Sequence, residues 1–354
     1  MFSLHAVHSS VIALSLGSSL LISGAASAQT VLSYSPWLPA AYVVNDVVMP
    51  WMEQVEAVTE GRVKIVPRAA GVGAPREQFD VVRDGLADVS LIVPGYTQGR
   101  FPLLELGELP LLSSNSEVLA PAFYRQYRDH LAQYNPYAGT HVLSAWVVAP
   151  AHITTSKKAI STLADLKGLK LFTSSAVASM GLEAVGAVPV TTSIADTYSM
   201  ASTGVIDGAL NPFEPTLTWN LYPFLDHITV VPGGMSQAGM ALLINERKWQ
   251  SISEADRAAI MEISGEPMAA AIGRALAKGE QTAATKLREL GVTIEEMPPL
   301  VFEEFSALLK PIDEAWFAKA KKAGLENPEQ VLAEFRAELN KAGASEAAMI
   351  IKER

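Results

Sequence analysis

The chain has 354 residues, enough for two domains at about 100–200 residues each. Hydrophobic residues make up 49 % and charged residues 18 %, which excludes a disordered chain, and the absence of cysteine excludes disulfides, thiol nucleophiles and thiolate-bound metals. Lys plus Arg total 27 against 37 for Asp plus Glu, and the resulting net charge of −10 argues against nucleic acid or an anionic membrane surface as partner.

The first 28 residues carry no Asp, Glu, Lys or Arg. An apolar run there ends in Ala26-Ser27-Ala28, an A-x-A cleavage form, so a cleavable secretory signal and a periplasmic location are expected. The n-region has His5 and His8 but no Lys or Arg, and the alternative is an uncleaved anchor, although the run is short for a span of about 20 residues.

Residues 31–39 (VLSYSPWLP) read as a buried strand ending at a Pro-rich loop. Residues 43–61 have helical spacing and close on Gly61, and residues 62–67 alternate as a strand. A helix follows in 75–96, then Gly85, then a strand from Val89 to Val93. The same alternation runs through 140–150, 163–172, 174–186, 188–192, 193–204 and 205–211. It predicts an α/β fold of parallel sheets with helices on both faces. Residues 253–290 form a long Ala-rich helix, with Ser253 and Asp256 as a capping box and Gly265 and Pro267 as a kink point, and amphipathic helices fill 302–340.

Chemistry-bearing motifs are absent from the sequence. None of His130, His141, His152 and His227 has a metal-ligand partner at short spacing, so no metal, cofactor or catalytic residue is assigned. There is no G-x-S-x-G elbow, P-loop or G-x-G-x-x-G, and GVGAPRE (71–77) reads as a plain loop. Asp207, next to Gly208 at a strand–loop junction, reads as a turn residue. The informative feature is a set of aromatics at strand ends: Tyr34, Trp37, Trp146, Phe172 and Phe213, with Asn211 and Glu214 beside the last. After Phe172, any of Thr173, Ser174 and Ser175 suits the cap of a helix starting near Ala176. Strand ends feeding helix N-termini are where α/β proteins place ligands.

The ordered segments GRVKIVP, DVVRDGLADVSLIVPGYTQGRFPLLELGELPLL, KKAISTLADLKGLKLF, EAVGAVPVTTSIADTYSMASTGVIDGALNP and INERKWQSIS resemble the solute-binding subunit of tripartite ATP-independent periplasmic (TRAP) transporters, dicarboxylate-type, over roughly residues 30–340. The resemblance implies a two-lobed periplasmic binding protein (type II-like) with a long bracing helix, a cleft between lobes, and delivery of a small solute to the membrane subunits of a TRAP permease without chemistry on it. The expected lobes are 29–150 plus about 237–262, and 151–236 plus about 263–354 with the C-terminal helices. The hinge is expected near 148–153 and 236–242, with the glycine-rich PGGMSQAG (232–239) absorbing the bend.

Two departures bear on the cargo. Many family members carry a carboxylate-binding arginine where Phe172 stands, and some carry another where His152 stands, whereas the matching asparagine survives as Asn211. Without a bidentate guanidinium a buried carboxylate loses several kcal/mol of compensation, at order of magnitude. The expected solute is therefore a small amine, ethanolamine-like, or a neutral polyol, held by Tyr34, Trp37, Trp146, His152, Phe172, Ser174, Asn211, Phe213 and Glu214. The alternatives are an organic acid held through Arg76, Arg100 or His152, and a ligand-sensing partner of a membrane receptor. A secreted hydrolase or lyase on the same fold would need a nucleophile, metal or acid–base pair that no motif supplies.

Overall fold

Apolar alternation in TVLSYS turns Leu32 and Tyr34 inward, and Thr30–Ser35 forms strand β1. The computed structural model describes residues 29–352, with side chains described to residue 342. The signal read in residues 1–28 lies outside the described residues. From β1 the chain runs through helix α1 (Asn45–Val58), β2 (Val63–Pro67), α2 (Gln78–Arg83), β3 (Val89–Ile92), α3 (Ser116–Gln126) and β4 (Thr140–Val147). It then crosses into a second lobe: β5 (His152–Thr155), β6 (Lys170–Thr173), α4 (Ala176–Ala184), β7 (Val188–Thr191), α5 (Thr197–Ser202), β8 (Gly208–Asn211), α6 (Phe213–Thr218) and β9 (His227–Val230). It returns on β10 (Gly239–Asn245) and continues through α7 (Glu246–Ser251), α8 (Glu254–Glu262), α9 (Gly265–Glu289), β11 (Thr293–Glu296), α10 (Pro299–Leu309), α11 (Pro311–Lys322) and α12 (Pro328–Lys352).

Two sheets result, in the orders β2-β1-β3-β10-β4 and β11-β9-β5-β8-β6-β7. Neither is wholly parallel, contrary to the expectation from β–α alternation. In the first sheet β10 runs antiparallel to β3 and β4, and in the second β5 runs antiparallel to β8 and β9. The reversed strand in each sheet is the one that arrives from the other lobe. An incoming strand enters from the cleft edge, opposite to the direction a βαβ crossover would give it.

The two crossing segments lie side by side. The Val148 N–H donates to Ala238 O at 2.9 Å, Ala151 N–H to Ser236 O at 2.8 Å, and Met235 N–H to Ala151 O at 3.0 Å. Gly233 and Gly234 adopt φ of +74° and +75°, a left-handed pair that suits glycine at this bend.

The long Ala-rich stretch is two helices rather than one kinked helix. Ser253 accepts the Asp256 N–H and starts α8, and the chain breaks at Ile263-Ser264, where Gly265 has φ +53°. The Ser264 hydroxyl fixes the break, accepting the Trp51 indole N–H at 3.0 Å and donating to Ile260 O at 2.6 Å. Helix α9 then packs on α3 and β4 of the first lobe and on α6 and β11 of the second. At Gly273 it approaches α3 so closely that a Cβ would stand 2.6 Å from Ser116 O. Helix α12 lies on α3, with Arg125 paired to Glu338 and the Phe123 and Phe335 rings 6.4 Å apart. Both helices are expected with the second lobe, and both pack against α3 of the first.

Candidate functional site

Strands β6 and β8 are parallel neighbours, with Phe172 opposite Ala209, so Thr173, Ser174 and Asn211 emerge together at their carboxyl ends. Ser175 caps α4, its hydroxyl accepting the Ala178 N–H at 3.2 Å. Of the three candidates the cap is therefore Ser175, which leaves Thr173 and Ser174 on the wall of a narrow, partly open cavity between the lobes. The crossing segments floor the cavity through Val148, Ala149, Ser236 and Gln237.

The walls are aromatic and uncharged. Trp37 and Tyr96 line the first-lobe side with rings edge-on at 6.3 Å, and the Trp37 indole N–H is fixed by Leu91 O at 2.8 Å. Tyr42, Met240, Trp219 and Phe172 complete the apolar surface. No Asp, Glu, Lys, Arg or His is among the lining residues. Three buried polar groups on this wall have no partner within the protein, the Thr173 hydroxyl, the Asn211 Nδ2 and the Gln237 Oε1, on residues 0 %, 3 % and 1 % exposed. Buried polar groups are almost always paired, so unpaired ones beside a cavity mark where a ligand atom belongs.

The lobes meet over this cavity. The Tyr96 hydroxyl accepts the Ile194 N–H at 3.3 Å across the cleft. Gly95 abuts the α4 start so tightly that a Cβ would stand 2.8 Å from both Ser174 O and Ser175 Cβ.

Of the residues singled out from the sequence, Trp37, Phe172, Ser174 and Asn211 come together on the cavity. Phe172 does so only in part. It is 1 % exposed and packs with Ala201, Ile206, Ala209, Leu221 and Leu225, so it is a core residue with one edge on the wall. Tyr34 and Trp146 are 1 % and 0 % exposed in the main core and do not line the cavity, because their strand positions alternate inward.

His152 and Phe213 face a separate cavity on the hinge side, their rings 4.8 Å apart. His152 accepts the Val231 N–H through Nδ1 at 3.3 Å, and burial pushes its imidazole down to about 4, so it offers no positive charge at neutral pH. Glu214 turns away from the cavity and accepts the Thr218 hydroxyl at 2.5 Å, and burial raises its carboxyl to about 7. Above it, Glu280 of α9 accepts the Phe213 and Glu214 N–H groups, both at 2.8 Å.

The candidate arginines are elsewhere. Arg100 forks onto Asp80 at 2.9 and 2.8 Å and lies 4.3 Å from the Phe79 ring centroid, bracing its loop, and Arg76 is exposed. Asp207 holds the Lys170 N–H at 2.9 Å, the turn role expected of it. Among the described residues no group of three or more His, Asp or Glu could hold a metal ion, and no helix is long and apolar enough to cross a membrane.

Three aromatic cavity residues escaped sequence reasoning. Tyr96 had a readable signal, since it closes IVPGY just after β3. Tyr42 in a loop and Trp219 at the end of α6 had none, and only the closure of the lobes brings them together.

A family model described as bacterial extracellular solute-binding protein, family 7, matches residues 35–320. The protein named "Outer membrane transporter protein TsaT" from Comamonas testosteroni is 27 % identical over 324 residues, 90 % of this chain and 94 % of that one. A TRAP periplasmic solute-binding protein from Bordetella bronchiseptica, solved with bound (R)- and (S)-mandelate, superposes at TM-score 0.85 with 29 % identity, covering 88 % of this chain and 99 % of that one. One from Rhodoferax ferrireducens with copurified benzoate gives 0.83 with 26 % identity, covering 90 % and 99 %. A marine-metagenome protein described as specific for aromatic acid ligands, solved with 3-hydroxybenzoate, gives 0.83 with 29 % identity, covering 89 % and 99 %.

Proposed function

The chain belongs to family 7 of the bacterial extracellular solute-binding proteins, and we propose that within that family it captures a small aromatic carboxylate and hands it to a TRAP permease. The two-lobed TRAP solute-binding fold and a small-molecule ligand are common to its structural relatives, and the family is one of transport rather than of catalysis. The observation that carries the finer reading is the pairing of an aromatic, uncharged wall with two buried, unpartnered donors at the strand ends, the Thr173 hydroxyl and Asn211 Nδ2, while the third unpartnered group, the acceptor Gln237 Oε1, lies on the floor.

The ring of the solute packs among Trp37, Tyr96, Phe172 and Trp219. Its carboxylate takes hydrogen bonds from Asn211 Nδ2 and the Thr173 hydroxyl beside the positive end of α4, with Ser174 at the same edge. No cation is needed if dipoles do this work, which removes the reason for excluding acids when Phe172 replaces an arginine. The three structural relatives above, each at least 26 % identical, were solved with mandelate, benzoate and 3-hydroxybenzoate, in support of the same class. The expectation of an amine or polyol rested on Phe172 standing where relatives carry a carboxylate-binding arginine, with Glu214 as an added partner for a cation; Phe172 is packed in the lobe interior with one edge on the cavity, and Glu214 is not on the cavity wall.

A thermal-shift screen of purified protein tests the reading. Benzoate, mandelate and 3-hydroxybenzoate raise the midpoint, and ethanolamine and glycerol do not. Stabilisation by ethanolamine alone would refute it. Mass spectrometry of co-purified small molecules is the independent check, and co-purification with the membrane subunits of a TRAP permease tests the delivery step.

A further inference from the structure

Glu108 ends the short 3-10 turn Leu104–Glu108 and is 2 % exposed. Its carboxyl stands where three segments meet. Oε1 accepts the Gly239 N–H at 3.5 Å, and a Cβ on Gly95 would come within 2.9 Å of the same oxygen and 2.8 Å of Ser175 Cβ, so the residue that caps α4 stands beside the carboxyl. Oε2 has no partner. Gly95 and Gly239 belong to the first lobe and Ser175 to the second. The second lobe thus closes one side of the carboxyl's burial, the side that separation of the lobes would expose.

The charged and titratable groups facing Glu108 are few. Glu105, one turn back, is paired with Lys319 of α11 at 2.8 Å, and the buried phenol of Tyr137 lies on the other side. Lys319 is engaged with Glu105, and Glu108 has no ion pair of its own among the described residues. Ionised, it would place a negative charge behind Ser175, against the same helix end that receives the solute carboxylate. Like charges sharing a site cannot both ionise cheaply.

We propose that Glu108 is a positioning residue that makes capture of the acid proton-linked: the lobes close on an aromatic carboxylate only with Glu108 in its neutral form, so the closed complex holds one proton more than the open, empty protein. This rests on the aromatic-acid reading above. Burial, and then the neighbouring Glu105 charge, raise Glu108 from 4.5 to about 8, against the opposing effects of Ser175, Gly239 and Lys319. Hydrated in the open state, the group titrates nearer 4.5. Closure then takes up a proton between about pH 5 and 8, so affinity falls as pH rises through that window and levels off above it.

Calorimetric titration of the full chain with 3-hydroxybenzoate and benzoate, in two buffers of different ionisation heat at pH 7, counts that proton. The solutes are fully ionised there and contribute none. The expected result is an uptake approaching one proton per solute, with affinity weakening by about tenfold per pH unit between pH 6 and 7.5. Glu108→Gln binds with no uptake and a flat pH profile, whereas Glu214→Gln keeps both. Should Glu108→Gln fold poorly, the wild-type proton count and the Glu214→Gln titration still decide. Binding without uptake overturns the inference alone, and uptake abolished by Glu214→Gln overturns the assignment to Glu108. No binding of either acid at pH 6 overturns the aromatic-acid reading and this inference with it.

Discussion

Thr173→Val is the cleanest test of the cavity. The two side chains have nearly the same shape, so the change removes a hydroxyl and little else. With the lobes in contact that hydroxyl is buried, on a residue 0 % exposed, and has no partner within the protein. A buried hydroxyl without a hydrogen bond costs about 1–3 kcal/mol, so its loss leaves the empty protein as stable as before or more so. In the complex the same hydroxyl donates to a carboxylate, and a hydrogen bond to a charged group is worth about 1.5–3 kcal/mol. Affinity for benzoate should then fall by about 10-fold to 150-fold, at 1.4 kcal/mol per factor of ten. Differential scanning fluorimetry of the empty protein and calorimetric titration with benzoate read the two effects separately. A midpoint lowered by several degrees with affinity unchanged would show that the hydroxyl serves the fold and not the solute, and the reasoning would fail.

Gly95→Ala should act chiefly on closure, because its Cβ would stand 2.8 Å from Ser174 O and Ser175 Cβ of the second lobe. Overpacking of this kind costs about 1–3 kcal/mol, so benzoate affinity drops about 5-fold to 150-fold, and small-angle scattering shows less compaction on ligand addition, with the unfolding midpoint of the empty protein retained. His152 gives a pH dependence of the opposite sense to that of Glu108. Its imidazole is held near 4 by burial against an ordinary 6.5, so the unfolded chain binds the proton first and stability falls as pH drops from about 6.5 towards 4. The loss is on the order of 3 kcal/mol, and urea unfolding at pH 4.5 and 7.5 should show a wider gap for the wild type than for His152→Gln.

The fold was legible wherever it depends on local periodicity. β–α alternation located β1 to β4 and β6 to β8 but not β5, β9, β10 or β11, and Ser253 with Asp256 marked the start of α8. Strand direction was not legible, because β5 and β10 take theirs from the lobe the chain comes from, a long-range property. The site divides the same way. Placing ligands at strand ends found Trp37, Phe172, Ser174 and Asn211 but also gathered Tyr34 and Trp146. Period-two parity separates these, since Tyr34 shares the inward face with Leu32. Glu214 follows Asn211 by three residues, yet the first turn of α6 carries it towards Thr218 and α9, a rotation that no strand pattern encodes.

The absence of a cation also bears on which acids enter. A guanidinium in the cleft would reward any carboxylate that reached it, and selectivity would have to come from clashes. With only dipoles and neutral donors at one end, one carboxylate is accommodated and the remaining wall must be matched by something apolar. A benzene ring meets that requirement, burying on the order of 100 Å² against Trp37, Tyr96 and Trp219, worth about 2.5 kcal/mol at 25 cal/mol per Å². Succinate is of similar length but would press its second carboxylate onto that wall, where an unpaired charge costs several kcal/mol even after relaxation, by order of magnitude. The two terms have the same sign, so benzoate should be preferred over succinate by well over about a hundredfold. Competition of succinate against bound 3-hydroxybenzoate measures the ratio. Displacement at comparable concentrations would mean that a basic group, not the aromatic wall, governs the choice of solute.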